Sequence, residues 1–347
     1  MWRLESECRC KILFMKIAIV KLSALGDIIH AMVVLQFIKK YNKDIKIDWI
    51  VEESYEELLE LHPDINKVNV VNIKKAKKKR SLYLLLNELR RVRKFGSYDL
   101  VIDLQGLIKS ALIARMISSN KTFGFDKYSA RESLAANFYN QTFNVDYDKN
   151  IVERNIALIS FALEIPIIEE NIQKKIPFLF SNRTYFFKTL STFKKNILLI
   201  PGASFKSKCY PVEKFAEVAT EIDANFLVIW GSQEEKIMAN KIQALAPKVI
   251  ICEKLSLDAL ISLISQVSLL IGSDSGPTHI GWALNIPSIT LFGATPGYRN
   301  SYVTKINRII ESSSEVNPFK LDRNDMSIKN IEVQEILLVS KNLLNQE

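Results

Sequence analysis

Short apolar runs rich in β-branched residues alternate with stretches of helical apolar spacing, and this alternation restricts the fold more than any other feature of the chain. The first run is Lys16–Val20, and helical spacing follows over Ile28–Lys40, with Leu22–Asp27 as the loop between them. In a strand–helix–strand unit, the second strand usually lies parallel to the first in the same sheet. The sequence therefore predicts an α/β fold with parallel, doubly wound sheets.

The alternation occurs in two series, which are separated by the polar and aromatic stretch Ser181–Lys195. The predicted strands of the first series are Lys16–Val20, Lys46–Val51, Lys67–Val71, Leu100–Leu104 and Lys121–Gly124. Those of the second series are Ile197–Ile200, Phe226–Trp230, Val249–Cys252, Leu269–Ile271 and Ser288–Phe292. With 347 residues, of which 48% are apolar and 24% charged, the chain is long and apolar enough for two globular domains.

The two series predict two similar α/β domains, the first over residues 15–185 and the second over 186–325. Residues 1–14 precede the first strand and are expected to be an N-terminal extension, to which we assign no function. Residues 326–347 contain a helix that could pack on either domain, including the N-terminal one.

Loop and cap signals are most concentrated in Leu269–Asn300. A short strand stops at Gly272, and Pro277 stands where a first helical position would be. A helix that begins there presents unpaired N–H groups and the positive end of its dipole, which suits a phosphate. The loop Gly293–Gly297 follows the next strand, so both loops lie at strand carboxyl ends, where open α/β sheets bind ligands. On composition alone, two ordinary strand-to-helix turns explain the same pattern.

The chain carries a formal net charge of +9, which indicates an acidic partner such as nucleic acid, an anionic membrane face, or a phosphorylated or carboxylated substrate. The cysteines, Cys8, Cys10, Cys209 and Cys252, lack the paired spacing of a zinc site or a disulfide framework, which favours a reducing cytoplasm. No apolar run reaches the roughly 18 residues of a membrane span, and charged residues interrupt the N-terminus, unlike in a signal peptide.

Several motifs in combination resemble those of the heptosyltransferases of lipopolysaccharide core synthesis. They are Lys21–His30 (KLSALGDIIH), Val101–Ser110 (VIDLQGLIKS), Ser129–Glu132 (SARE), Val152–Asn155 (VERN) and Gly272–His279 (GSDSGPTH). The first loop and Gln105–Gly106 are most similar to the members that add the first heptose, heptosyltransferase I. The resemblance implies a GT-B fold, with two Rossmann-like domains facing across a cleft and the nucleotide sugar on the C-terminal domain.

The resemblance also implies an activity. We expect an inverting transfer of L-glycero-D-manno-heptose from ADP-heptose to the inner Kdo of Kdo-lipid A, with no metal or other cofactor, by a cytoplasmic protein peripherally associated with the inner membrane. Heptosyltransferase II, or another GT-B enzyme with a different acceptor, is the alternative. A nucleic-acid binder would use the basic run Lys74–Lys94, but no known nucleic-acid module accompanies that run.

Asp27 and Lys208 are the candidate catalytic residues. The residues alone favour Asp27 as a helix N-cap, whereas the resemblance implies the general base that takes the proton from the acceptor hydroxyl. Lys208 can meet the diphosphate charge that grows as the glycosidic bond breaks, although a single lysine is more often a solvated surface residue.

The candidate residues for the sugar donor follow three strands of the second series. The resemblance places Asp274 at the donor heptose, and the helix start is expected to meet the phosphates, with His279 assisting or filling the helix base. Ser204 is expected to contact phosphate where Ala203 cannot. Which of Gln233, Glu234 and Glu235 accepts from the ribose hydroxyls stays open. The candidate donor-binding set is Ser204, Gln233, Glu234, Asp274, Ser275, Gly276, Pro277, Thr278 and His279.

The candidate acceptor residues lie in the first series. The basic run begins at Lys74–Arg80 and continues through Arg90, Arg91, Arg93 and Lys94. As a pattern it is typical of a solvated face, but the resemblance implies that it faces the carboxylates and phosphates of Kdo-lipid A. The acceptor-binding candidates are Lys77, Lys78, Arg80, Gln105 and Arg131.

Overall fold

The computed structural model describes residues 15–183 and 185–345, apart from the side chain of Lys77. Within these residues the strands form two six-stranded sheets, and every strand pair is parallel. The predicted α/β fold with two doubly wound sheets is confirmed. The expected N-terminal extension, residues 1–14, lies outside the described residues.

The first domain begins with β1, and one or two α-helices or a 3-10 helix lie between consecutive strands. Its strands are β1 (Lys16–Val20), β2 (Lys46–Glu52), β3 (Lys67–Val71), β4 (Ser97–Asp103), β5 (Ser118–Phe125) and β6 (Gln141–Phe143). Its helices are α1 (Leu25–Met32), α2 (Val34–Tyr41), α3 (Ile73–Lys78), α4 (Leu82–Val92), α5 (Ile108–Met116), α6 (Ile151–Leu163) and α7 (Glu169–Gln173). Short 3-10 helices occupy Glu53–Leu58 and Ser133–Phe138.

The first sheet has the strand order β3-β2-β1-β4-β5-β6. The central pair runs in register from Ile17 against Leu100 to Val20 against Asp103, so β1 and β4 end at the same level. The order reverses between these strands, and the carboxyl ends on either side of such a reversal are where doubly wound sheets bind ligands. The loops after β1 and β4 therefore frame the expected binding position of this domain.

The second domain repeats this design. Its strands are β7 (Asn196–Ile200), β8 (Asn225–Val228), β9 (Ile250–Ile251), β10 (Leu269–Ser273), β11 (Ser288–Phe292) and β12 (Asn307–Glu311). Its helices are α8 (Val212–Glu221), α9 (Gln233–Leu245), α10 (Leu257–Ile264), α11 (Gly276–Ala283), α12 (Gly297–Asn300) and α13 (Val333–Leu344), with 3-10 turns at Lys206–Lys208 and Ser327–Asn330. The strand order is β12-β11-β10-β7-β8-β9, so the reversal falls between β7 and β10.

The boundary between the two domains lies earlier in the chain than expected. The chain divides into compact units between Lys175 and Ile176, before the expected limit at 185/186. The segment after Lys175 belongs to the second domain because Phe178 N donates to the carbonyl of Ala283 and Asn182 N donates to the carboxylate of Asp258.

The C-terminal helix α13 packs on the second domain. Val333, Ile336 and Leu343 are buried in the same apolar cluster as Ile289 and Leu291 of β11. Lys214 of α8 donates to the carbonyl of Ile331, just before the helix. No helix among the residues described is long and apolar enough to cross a bilayer.

Candidate active site

Gln105 joins the loops that follow β1 and β4 in the first domain. Its side-chain oxygen Oε1 accepts from the backbone N–H groups of Leu22 (2.9 Å) and Ser23 (3.2 Å). The two loops meet because the strand order makes β1 and β4 neighbours. Gln105, predicted as an acceptor contact, therefore also determines where the chain leaves β1 and enters α1.

Asp27 is the third residue of α1, because the helix begins at Leu25 and not at Ile28 as the apolar spacing predicts. Its Oδ2 accepts from the backbone N–H of Ala24 at 3.1 Å, and the side chain is half-buried. The carboxylate thus lies in the first turn, at the positive end of the helix dipole. The carboxylate accepts from one backbone N–H at the helix start, although Asp27 itself lies inside the helix. This role is related to that of an N-cap, which the residues alone favour.

A buried polar cluster around Asp103 contacts the loop between β4 and α5, which we call the Gln105 loop. The sequence alone did not predict this cluster. The carboxylate of Asp103 accepts from Tyr139 Oη (2.7 Å), Ser110 Oγ (2.7 Å) and Gln105 N (2.8 Å). Burial raises the pKa of Asp103, although these hydrogen bonds and the charge of Lys21 act against the shift. The cluster orients the backbone of Gln105. Because the Gln105 side chain accepts from Leu22 and Ser23, it also positions the loop before Asp27.

Lys208 and Asp274 form a buried ion pair at the reversal point of the second sheet. Lys208 ends the 3-10 turn after β7, and Asp274 follows β10 directly. Their Nζ and Oδ2 atoms are 2.5 Å apart, with side chains 12% and 7% exposed. Thr295 Oγ1 donates to the same carboxylate (2.8 Å), and His279 Nε2 lies 3.1 Å from Oδ1. The structure thus brings together Lys208, Asp274 and Thr295, from the segments after three neighbouring strands, and His279 from the first turn of α11.

The pKa of Asp274 is strongly lowered in this arrangement. Burial by itself would raise the pKa of this carboxyl, but the Lys208 ammonium and the His279 hydrogen bond outweigh it and hold the pKa well below its usual range. Asp274 is therefore ionised at neutral pH.

The helix α11 begins at Gly276, with Pro277 as its second residue. Thr278 donates its hydroxyl to the carbonyl of Ser273 (2.7 Å) and lies 3.1 Å from Ser275 Oγ. Among the described residues, the backbone N–H groups of Ser275 and Gly276 have no hydrogen-bond partner. Two N–H groups at the positive end of the helix dipole are thus available to an anion.

Gly272 allows this helix start to approach the sheet closely. A Cβ atom at Gly272 would lie 2.6 Å from Thr278 Oγ1 and 2.8 Å from Ile200 Cβ, which is closer than real Cβ atoms come. Only glycine therefore permits β7, β10 and the first turn of α11 to meet in this way.

Glu235 is engaged in capping α9, which bears on the choice among the ribose candidates. Its Oε2 accepts from the N–H groups of Gly231 (2.6 Å) and Ser232 (3.1 Å). Gln233 and Glu234, the first two residues of α9, are exposed, and so is Ser204. Among the three ribose candidates, the capping box engages the side chain of Glu235 and leaves those of Gln233 and Glu234 available.

The basic acceptor candidates are exposed on the first domain. Lys78 ends α3 and Arg80 lies in the turn that follows, while the side chain of Lys77 falls outside the described residues. Arg131 is also exposed, and its backbone N–H lies beside Gly106, 3.6 Å from where a Cβ atom would stand. The structure thus brings Arg131 close to the Gln105 loop.

Arg154, from the motif Val152–Asn155, has a structural environment. It is 2% exposed and donates to the backbone carbonyls of Ser129 (2.6 Å), Val145 (3.0 Å) and Asp146. The guanidinium therefore joins the loop that contains Ser129–Glu132 to the segment after β6. No group of three or more His, Cys, Asp or Glu side chains in the described part of the chain is arranged to hold a metal ion.

The chain shares its fold with solved structures of glycosyltransferases. The chain superposes on the Escherichia coli heptosyltransferase WaaC with ADP with a TM-score of 0.77 at 22% identity, covering 95% of this chain and 100% of that one. It also superposes on a glycosyl transferase family 9 structure from Veillonella parvula with a TM-score of 0.78 at 21% identity, covering 96% and 98%. The GT-B fold that the resemblance implies is confirmed.

Sequence comparison identifies the family. Residues 86–326 match the model of glycosyltransferase family 9 (heptosyltransferase). The chain is 43% identical to lipopolysaccharide heptosyltransferase 1 of Campylobacter coli, over 96% of this chain and 100% of the relative, and 30% identical to that of Pseudomonas aeruginosa, over 83% and 81%. The protein belongs to glycosyltransferase family 9, the heptosyltransferases.

Proposed function

We propose that the protein is a lipopolysaccharide heptosyltransferase I, which transfers L-glycero-D-manno-heptose from ADP-heptose to the inner Kdo of Kdo-lipid A. Two relatives of that name match most of the chain, at 43% and 30% identity. The structural observation that carries the proposal is the Lys208–Asp274 pair, since it stands directly before the open helix start of α11. A cation beside two unpaired N–H groups suits a diphosphate leaving group.

Asp27 is the general base in this proposal. The acceptor hydroxyl oxygen attacks the anomeric carbon of the heptose, the bond from that carbon to the diphosphate breaks, and the hydroxyl proton passes to Asp27. A single displacement inverts the configuration at the anomeric carbon. A carboxylate is a weak base towards an alcohol, so proton transfer accompanies departure of ADP and does not precede it.

The second domain binds ADP-heptose in this proposal. The N–H groups of Ser275 and Gly276 and the ammonium of Lys208 meet the diphosphate, with Ser204, Pro277 and Thr278 lining the same site. Gln233 or Glu234 accepts from the ribose hydroxyls. Lys208 and the helix start supply the positive charge that a metal ion supplies in other enzymes, so the reaction needs no metal.

Asp274 faces the heptose hydroxyls and not the phosphates. An ionised carboxylate offers about four acceptor positions. Lys208, Thr295 and His279 occupy three of them. The remaining position can accept one sugar hydroxyl, and the carboxylate meanwhile keeps the ammonium of Lys208 in place.

Acceptor recognition falls to the first domain in this proposal. Gln105 and Arg131 lie by the loop that precedes Asp27, and Lys77, Lys78 and Arg80 attract the carboxylates and phosphates of Kdo-lipid A. The acceptor is displayed on a membrane, so we place the protein in the cytoplasm, in peripheral electrostatic contact with the inner membrane.

The test is transfer by the purified protein from a panel of nucleotide sugars to two acceptors, Kdo-lipid A and the same acceptor already bearing one heptose. We expect ADP-heptose to be used, with Kdo-lipid A as the acceptor. Transfer only to the heptosylated acceptor would identify a heptosyltransferase II, and use of another nucleotide sugar would indicate a different GT-B enzyme.

A further inference from the structure

Helix α4, Leu82–Val92, exposes large apolar side chains on the surface of the first domain. Leu82 is 69% exposed, Tyr83 70% and Leu86 45%. At about 100° per residue, these positions and Arg90 fall within an arc of roughly 100° on one side of the helix. We call Leu82, Tyr83, Leu86 and Arg90 the Leu82 face. Contiguous exposed apolar side chains of this size mark an interaction surface.

The opposite side of α4 contacts the rest of the first domain. Glu88 accepts from Asn72 N (3.1 Å) and pairs with Arg91 (2.7 Å), and Arg91 also donates to the carbonyl of Val70 (2.6 Å). Val92 is fully buried. The helix is thus fixed in orientation, and its acidic residue, Glu88, is turned away from the Leu82 face and already paired.

Positive charge borders the Leu82 face at both ends of α4. The exposed basic residues before the helix are Lys74, Lys75, Lys78, Lys79 and Arg80, and those after it are Arg93 and Lys94. The helix therefore presents leucine and tyrosine side chains between cations, with no acidic side chain on the exposed arc.

We propose that the Leu82 face docks on an anionic phospholipid bilayer, with Leu82, Tyr83 and Leu86 entering the boundary between headgroups and acyl chains. Amphipathic helices with lysine and arginine on the polar side and large apolar residues on the other lie in this boundary. Nucleic acid would neutralise the charges but would leave both leucines in water. The inference rests on the proposed function in that a lipid-borne acceptor requires an enzyme at the membrane, and it adds apolar insertion to electrostatic attraction.

The first test is sedimentation of the full chain with vesicles of phosphatidylglycerol and phosphatidylethanolamine, and with vesicles of phosphatidylcholine alone. We expect binding to the anionic vesicles, reduced about tenfold or more in Leu82→Ser with Leu86→Ser. The matched control is Phe193→Ser with Leu338→Ser, which removes two apolar side chains that are 98% and 62% exposed on the second domain. Equal loss in both double variants would overturn the proposal.

The second test measures insertion directly through Tyr83→Trp. Bromine atoms on the lipid acyl chains quench a tryptophan that enters the bilayer, so we expect quenching of the variant beyond that of the wild-type protein. Vesicle binding without added quenching would mean that only charge attracts the protein, and apolar insertion would be refuted. A concentration-dependent dimer that Leu82→Ser abolishes would instead make this face a contact between copies.

The third measurement separates this proposal from the proposed function. Leu82→Ser with Leu86→Ser should transfer heptose at the wild-type rate to a deacylated, water-soluble Kdo acceptor, and more slowly to an acceptor embedded in vesicles. Insertion by a wild-type protein that transfers no sugar would reject the function and keep the docking surface. Transfer without insertion would do the reverse.

Discussion

Asp274 shows how a carboxylate can stand where a diphosphate is expected to bind. An unpaired carboxylate there would repel the phosphates, yet the ammonium of Lys208 lies 2.5 Å from it. Both side chains are largely withdrawn from water, so the loss of one partner leaves a buried, unpaired charge. The residue that assists the leaving group in our proposal is therefore also important for stability.

We expect Lys208→Met to destabilise the protein. Breaking a buried pair from one side costs about 3–5 kcal/mol, and we expect the lower end because Thr295 and His279 still contact Asp274. Lys206→Met is the matched control, since Lys206 lies in the same turn and is exposed. Denaturant unfolding of both variants measures the difference, and similar unfolding free energies would show that the pair contributes little.

The same variant has a predictable pH dependence. The pKa of Asp274 is lowered in the folded wild type, so its contribution to stability is present above the unfolded pKa of about 3.9 and is lost as the pH falls through the folded value. In Lys208→Met, burial raises the pKa of Asp274 instead, and protonation relieves the unpaired charge. The stability difference between wild type and variant should therefore be largest near neutral pH and shrink towards pH ~4. A difference that is constant with pH would reject this account.

Asp27 is proposed as a general base but also accepts the N–H of Ala24. Asp27→Ala removes both roles, whereas Asp27→Asn keeps an oxygen for Ala24 and cannot take up a proton. We expect both variants to bind ADP-heptose and to lose transfer by roughly 10²- to 10⁴-fold. Near-normal turnover of Asp27→Asn with a weakened Asp27→Ala would falsify the base and leave only the cap.

At the scale of elements, the loops after β1 and β4 form one unit through Gln105. We expect Gln105→Ala to lower the free energy of unfolding by about 1–2 kcal/mol, because the N–H groups of Leu22 and Ser23 lose their acceptor. Transfer should fall about tenfold, since this loop leads into the helix that carries Asp27. Gln105→Glu keeps the acceptor oxygens, so it should restore most of the stability. Rates that are unchanged in Gln105→Ala would separate the loop from the chemistry.

The basic residues at the end of α3 and in the turn after it offer a test of acceptor attraction. We expect Lys77→Glu with Lys78→Glu and Arg80→Glu to weaken binding of Kdo-lipid A and to leave binding of ADP-heptose unchanged. Acceptor affinity of the wild type should also fall with added salt, because exposed charges are screened over about 8 Å at physiological ionic strength.

The control for this turn is Lys241→Glu with Lys305→Glu and Lys320→Glu, which changes the net charge equally at exposed positions of the second domain. Acceptor affinities that match in the two triple variants would return the basic run to an ordinary solvated surface.

At the scale of the whole molecule, two sheets of the same strand order divide the proposed work, with the acceptor on one domain and the nucleotide sugar on the other. The proposed contacts of Lys208 and α11 with the diphosphate predict that transfer continues in EDTA at the untreated rate. The measurement is the initial rate before and after chelation, with Mg²⁺ or Mn²⁺ added back. Activity that returns only with one of these ions would contradict a metal-free mechanism.

The sequence by itself determined the α/β class, the two series of strands and, to within one residue, the helix start that it placed at Pro277, because hydrophobic periodicity and cap residues act over a few neighbouring residues. Short terminal elements escaped it: β6 and β12 carry little apolar periodicity, and the start of α1 at Leu25 depends on the Asp27 contact with Ala24.

Only the tertiary structure decided which polar side chains meet. Lys208 and Asp274 follow β7 and β10, which are far apart in the chain and become neighbours through the strand order of the second sheet. The Asp103 cluster likewise needs β4, α5 and Tyr139 in one place. The helix α13 packs on the second domain because its apolar side, with Val333 and Ile336, covers the core beside β11. Where an amphipathic helix packs depends on which apolar surface the rest of the fold leaves uncovered, and the helix's own sequence does not specify it.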